Sequence, residues 1–231
     1  MFLLNKKRIL FILFTLLTPI ILCSSITTIE TSSIPVSSHT IILDAGHGLP
    51  DSGASANDGT SEQNINLNIT LKVQKLLEAS GSTVILTRSD ENGIYDIDSK
   101  NKKQSDMKNR VSLANSSNAE IFVSIHLNKI DIASCSGWQS FYQKNNENSK
   151  ILANHIQQNL NTSIQKNNKR EILPLSGKYI LDNIKIPTVI VECGFLSNNS
   201  ELSNLKTEKY QENLAWGIYT GIIDYFSNSM L

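Results

Sequence analysis

"IILDAGHGLPDSGA", residues 41–54, begins as an unbroken apolar run and then opens into a loop carrying three glycines and one histidine. The run decides the fold. A strand with one wet face alternates apolar and polar residues, whereas a continuous apolar run needs cover on both faces, as in an α/β sheet. The same continuity recurs in "STVILT" (82–87), "AEIFVSIH" (119–126) and "PTVIVEC" (187–193). Between these runs, residues 105–118, 146–166 and 208–227 place apolar side chains at helical spacing, Ile151, Ile156 and Leu160 among them. Residues 89–104 and 166–176 read as loops, and no repeat is present. The pattern predicts a single α/β domain whose sheet is flanked by helices on both faces.

One segment is ambiguous by period. "INLNITLKV", residues 65–73, alternates as a half-buried strand would. Thr60 followed by Gln63 is a capping-box signature, however, and Ile65, Ile69, Val73, Leu76 and Leu77 form one helical face with no breaker before Gly81. The expectation is a helix from about Ser61 to Ser80.

A chain of 231 residues with 40% hydrophobic composition buries one sizeable core. Its formal net charge is zero, so the basic stripe of a nucleic-acid binder is missing. Lys6, Lys7 and Arg8 precede an apolar run from Ile9 to Leu22 and the small residues Ser24 and Ser25. This is the three-part pattern of a secretory signal, assigned to residues 1–25. The run is shorter than the roughly 20 residues that span a bilayer, but Phe2, Leu3 and Leu4 extend it, which leaves open an uncleaved membrane anchor. Either way the chain is read as exported. Residues 26–39 are rich in Ser and Thr and read as a linker, and residues 40–231 as the catalytic domain. Cys23 falls in the leader, and Leu22 stands where a lipid-attachment cysteine needs a small neighbour. Cys135 and Cys193 are too few for a disulfide framework and are read as unpaired thiols.

Ligands of open α/β sheets sit beyond the carboxyl ends of strands. His47, His126 and Glu192 end three of the predicted strands, and Glu62 falls in the first turn of the helix after the glycine loop. Two imidazoles and a carboxylate suit a catalytic zinc site, which takes three protein ligands and keeps a position for water. A second carboxylate then serves as base in hydrolysis of an amide or ester. The spacing contains no HExxH, and a histidine closing a strand is often just a hydrogen-bonded structural residue. His155 reads as a solvated or capping residue, and His39 as having no specific role. Cys193 should face the core if Glu192 faces the crevice, because successive strand residues point opposite ways. Ser52 lacks a nucleophile elbow and reads as a turn residue.

Taken in order, "LDAGHGLPDSGA", "SEQNINLNI", "LTRSD", "NRVSLAN", "FVSIHLN", "SGWQSFY" and "VIVECGFLSN" resemble the zinc-dependent N-acetylmuramoyl-L-alanine amidases of the Amidase_3 type. The resemblance runs from about residue 40 to residue 227. It implies a mixed six-stranded sheet, a Zn2+ cofactor held by His47, Glu62 and His126, and a catalytic role for Glu192. The implied substrate is the amide between N-acetylmuramic acid and L-alanine in peptidoglycan. Ala45 and Leu49 depart from the family pattern, which usually has Pro and Gly there, and Leu49 puts substrate preference rather than chemistry in question.

"SFYQKNNENSK", "GKYILDNIKIP" and "AWGIYTGIIDYF" narrow the resemblance to the germination-specific amidases of endospore formers. That group implies removal of stem peptides from the spore cortex on the way to muramic δ-lactam, in the space between the forespore membranes. Two other classes compete: an inactive peptidoglycan-binding or regulatory domain, and a metallopeptidase or deacetylase acting on wall material. Dependence on an activating protein partner is also left open.

Overall fold

The structure, a computed structural model, describes residues 34–164 and 168–228. The leader reading and most of the linker reading lie outside the described residues. Among those described, no helix is long and apolar enough to cross a membrane.

Six strands form one mixed sheet: β1 (Thr40–Ala45), β2 (Thr83–Leu86), β3 (Ile121–Asn128), β4 (Gln139–Gln143), β5 (Leu173–Leu175) and β6 (Thr188–Phe195). Their spatial order is β2-β1-β3-β6-β4-β5. β2, β1, β3 and β6 run parallel, while β4 is antiparallel to β6 and parallel to β5. The helices are α1 (Glu62–Ala79), α2 (Lys102–Ser116), α3 (Glu147–Ile164), α4 (Tyr179–Asn183), α5 (Asn199–Leu205) and α6 (Glu208–Asn228).

β1 is buried along its whole length. Ile41 and Leu43 enter the large core shared with Ile69 and Val73 of α1, Ile156 of α3 and Ile218 of α6. Ile42 points the other way, against Ala114 of α2, Phe122 and Ile184. Both faces are therefore covered, which is why β1 carries no polar alternation. Burying one such aliphatic side chain stabilises the fold by about 1.5–3 kcal/mol.

α1 replaces the strand-like reading of "INLNITLKV". Asn66 and Thr70, which break its apolar pattern, are themselves fully buried. The Thr70 hydroxyl donates to the Asn66 carbonyl, and the Asn66 amide donates to the Gly46 carbonyl and to Glu62. The capping box does not form. Ser61 is the N-cap and makes no side-chain cap bond. Loop carbonyls satisfy the first turn instead: the Glu62 amide donates to Ala54 O at 2.8 Å and the Gln63 amide to Ser52 O at 3.2 Å. Helix start and glycine loop are thus one hydrogen-bonded unit.

Residues 34–39 depart from the linker reading. Val36 is fully buried, the Ser82 hydroxyl donates to its carbonyl, and Ser38 N donates to Gly81 O. His39 pairs with Glu120 at 2.9 Å and stacks on Phe226 at 3.9 Å between ring centroids, so it fastens the start of β1 rather than lying idle. One apolar side chain among serines suffices to dock this segment, a signal that composition averages away.

Candidate active site

β1 ends at Ala45, and the chain turns at once toward the carboxyl edge of the sheet. Gly46 lies so close to His126 that a Cβ there would sit 2.3 Å from Nε2 of that ring. Gly53 has φ +68°, and a Cβ on it would sit 2.6 Å from Glu62 Oε2. These two glycines admit the side chains that converge here. His47 itself adopts φ 64°, a left-handed conformation that costs a non-glycine residue about 1–2 kcal/mol. Paired backbone hydrogen bonds between Gly48 and Asp51 help to hold it.

His47 Nε2 lies 3.3 Å from Glu62 Oε2, and His126 Nδ1 lies 3.0 Å from Glu62 Oε1. The two imidazoles meet edge to face, with centroids 4.9 Å apart. One ligand atom from each of His47, Glu62 and His126 can be chosen so that all lie within 4.8 Å of one another. Glu62 is fixed further by the Ala54 amide on Oε2 and the Leu127 amide on Oε1. On the far side of the His47 ring, Nδ1 meets Asp51 Oδ2 at 3.1 Å, and Asp51 pairs with Lys103 at 3.0 Å.

His126 and Glu192 are register partners on the parallel strands β3 and β6, which sets them side by side on one face. The next residue, Cys193, is fully buried in the core as alternation requires. Glu192 is half-buried, and its Oε2 is itself buried with no hydrogen-bond partner. All four residues line one cleft of about 590 Å³, with Asp51, Lys103, Phe141, Lys178 and Tyr179 among its other walls.

The electrostatics divide the two glutamates. Burial pushes the Glu62 carboxyl up, but hydrogen bonds and charge from His126 and His47 outweigh it and hold the group far below the usual carboxylate range. Burial pushes Glu192 up as well, the Glu62 charge adds to this, and there the increase prevails over the opposing His126, His47 and Lys178. His47 is lowered by burial but raised more by Glu62 and Asp51. One carboxylate is held in its ionised form, while the other keeps its proton to higher pH than an ordinary carboxyl.

Two imidazole nitrogens and one carboxylate oxygen converging on an open cleft are a donor set that suits zinc, with space for water and substrate. Comparison with known proteins gives this set a context: the family described as N-acetylmuramoyl-L-alanine amidase, Amidase_3, matches residues 41–224. The chain belongs to the Amidase_3 family.

Among Amidase_3 relatives, the chain is 39% identical over 199 residues to the germination-specific N-acetylmuramoyl-L-alanine amidase of Bacillus subtilis, covering 84% of this chain and 83% of that protein. It is 34% identical to the amidase LytC of the same organism, covering 83% of this chain but only 36% of LytC. Among solved structures it is similar to the CwlD amidase from Clostridioides difficile, determined in complex with the GerS lipoprotein, with a TM-score of 0.80 at 46% identity over 83% of this chain and all of that one. The catalytic domain of CwlV from Bacillus (Paenibacillus) polymyxa matches with a TM-score of 0.71 at 30% identity, over 82% of this chain and 98% of that one.

Each of the four residues singled out from the Amidase_3 sequence motifs lines this cleft. Sequence reasoning assigned no role to Asp51, Asn66, Arg88 or Arg110. The two arginines stand in "LTRSD" and "NRVSLAN", and the structure turns both toward the glycine loop.

Proposed function

We propose that the chain is a zinc-dependent amidase that hydrolyses the bond between N-acetylmuramic acid and L-alanine in peptidoglycan, with His47, Glu62 and His126 holding the metal and Glu192 acting on protons. The observation that carries this reading is the juxtaposition in one cleft of three converging ligand atoms and a carboxylate whose buried Oε2 is unpaired.

Zinc bound there supplies Lewis acidity, polarising the scissile carbonyl and lowering the pKa of water to about 7. Glu192 takes a proton from the attacking water as its oxygen bonds to the lactyl carbonyl carbon. It returns that proton to the nitrogen of L-alanine as the C–N bond breaks, releasing a lactyl carboxylate and a free amine. Glu62 stays ionised throughout, because two imidazoles and two backbone amides stabilise its charge. Asp51 holds Nδ1 of His47 and so directs Nε2 toward Glu62.

Kinship with the germination-specific amidase and with CwlD supports a place in the spore cortex, where removal of stem peptides precedes muramic δ-lactam formation. The basic and apolar N-terminus supports export, with residues 1–25 as signal peptide or anchor. The GerS complex of the CwlD relative supports a protein partner of the same kind here.

The test is Glu192→Gln. It should retain one zinc per chain by metal analysis while turnover on purified peptidoglycan falls by about 100-fold or more. Comparable turnover by that variant would remove Glu192 from the mechanism.

A further inference from the structure

Arg88 and Arg110 are 4% and 3% exposed, and both donate hydrogen bonds to the loop that carries His47, alongside others to Asp90 O from Arg88 and to Asp44, Thr87 and Asp106 from Arg110. Arg88, just after β2, donates from Nε to Ala45 O at 2.8 Å and from Nη2 to Gly46 O at 3.0 Å and Gln63 O at 2.8 Å. Arg110, on α2, donates from Nη1 to Ala45 O at 2.9 Å and from Nη2 to His47 O at 2.6 Å. The carbonyls of three successive residues, Ala45, Gly46 and His47, are thereby held by the two guanidiniums. Asp44 and Asp106 hold the Arg110 fork in turn: Nη1 meets Asp44, and Nε meets Asp106 Oδ2 at 2.6 Å.

Two adjacent buried cations are a costly way to fill a core, since apolar residues of the same volume usually do so at no loss of stability. The arrangement becomes intelligible from its target. His47 is the non-glycine residue of this loop held at φ 64°, and its carbonyl is the acceptor of the Arg110 Nη2 bond. Every nitrogen of Arg110 is committed to a carbonyl, carboxylate or hydroxyl rather than to the ring.

We propose that Arg110, seconded by Arg88, is a positioning residue for the metal site. It clasps the His47 carbonyl and so keeps the imidazole aimed at Glu62. The clasp rests on the zinc reading above and adds to it that metal affinity is set by two residues that never touch the metal.

Arg110→Lys tests this, because it keeps the charge but replaces a five-donor fork with a point donor that cannot reach all the same partners. Equilibrium zinc affinity by chelator competition should fall about 10- to 100-fold, the range typical for groups that orient metal ligands. At saturating zinc, kcat on peptidoglycan should recover toward the wild-type value, since Glu192 is undisturbed. Asp106→Asn, which loosens the guanidinium while leaving it in place, should weaken zinc in the same direction and less. It decides the matter alone if Arg110→Lys does not fold. Variants that keep wild-type zinc affinity while the metal-free protein melts at lower temperature overturn the clasp and leave the zinc reading standing. Wild-type protein that takes up no zinc overturns both.

Discussion

Asp51 Oδ2 lies 3.1 Å from Nδ1 of His47, on the side of the ring opposite the nitrogen that faces Glu62. With a metal on Nε2 as proposed, a carboxylate there would fix the tautomer by accepting the Nδ1 proton. Asp51→Ala should therefore weaken zinc binding about 10- to 100-fold, measured by chelator competition, with kcat at saturating zinc less affected. Unaltered affinity would mean that the loop alone orients the ring.

Gly46 and Gly59 make a matched pair of alanine substitutions. A Cβ at Gly46 meets the His126 ring at 2.3 Å, whereas one at Gly59 meets nothing within 4 Å, although Gly59 has φ +86°. Gly46→Ala should displace His126 and lower zinc affinity at least about 10-fold, the loss expected when a ligand is poorly oriented. Gly59→Ala should lower the melting temperature, because alanine is strained at positive φ, and leave zinc affinity unchanged. Equal zinc loss in both would point to general loosening of the loop.

Removing the metal should abolish activity and lower stability together. Zinc that binds only the folded chain adds about 4 kcal/mol at a free concentration a thousandfold above Kd. Adding zinc to chelator-treated protein should raise Tm in the wild type and fail to do so in His126→Ala. A zinc-dependent rise of the same size in that variant would remove His126 from the ligand set.

The buried Asp44 gives a pH prediction. Burial alone would raise its carboxyl, but Arg110 and the Ser124 and Thr87 hydroxyls outweigh this and hold it below its ordinary value of 3.8. A group depressed in the folded state contributes stability that is complete above its unfolded pKa and lost as pH falls through the folded one. Unfolding free energy from urea titration should thus carry no Asp44 contribution to its slope from neutrality down to about pH 5, and should decline below about pH 4. Asp44→Asn should be less stable at pH 7 by about 3–5 kcal/mol, the cost of breaking a buried pair, and should show a shallower acid decline. An acid limb identical to the wild type would show that other carboxylates set it.

Much of this was legible in the residues themselves. The unbroken apolar runs located four parallel strands, because two-sided burial leaves no room for polar alternation. The helix over 62–79 was recoverable from its apolar face, although its capping box was misleading: the first-turn amides found loop carbonyls that only the tertiary fold supplies. β4, β5 and the short α4 and α5 carried no periodic signal of their own. Three to seven residues are too few to show a period, and β4 is made by pairing with β6 rather than by its own pattern. His47, Glu62, His126 and Glu192 stood out by residue type at element ends. Asp51, Arg88 and Arg110 did not, because their significance is a hydrogen bond to a loop distant in sequence or to a neighbouring ring, which spacing does not encode.

The chemistry turns on which bond is cut, and mass spectrometry of purified peptidoglycan digested with the zinc-loaded chain reads this directly. The account predicts new free amino termini on L-alanine, intact glycan strands, and muramic acid bearing a lactyl carboxylate. Cleavage within the stem peptide, loss of acetyl groups, or no new termini at all would contradict it.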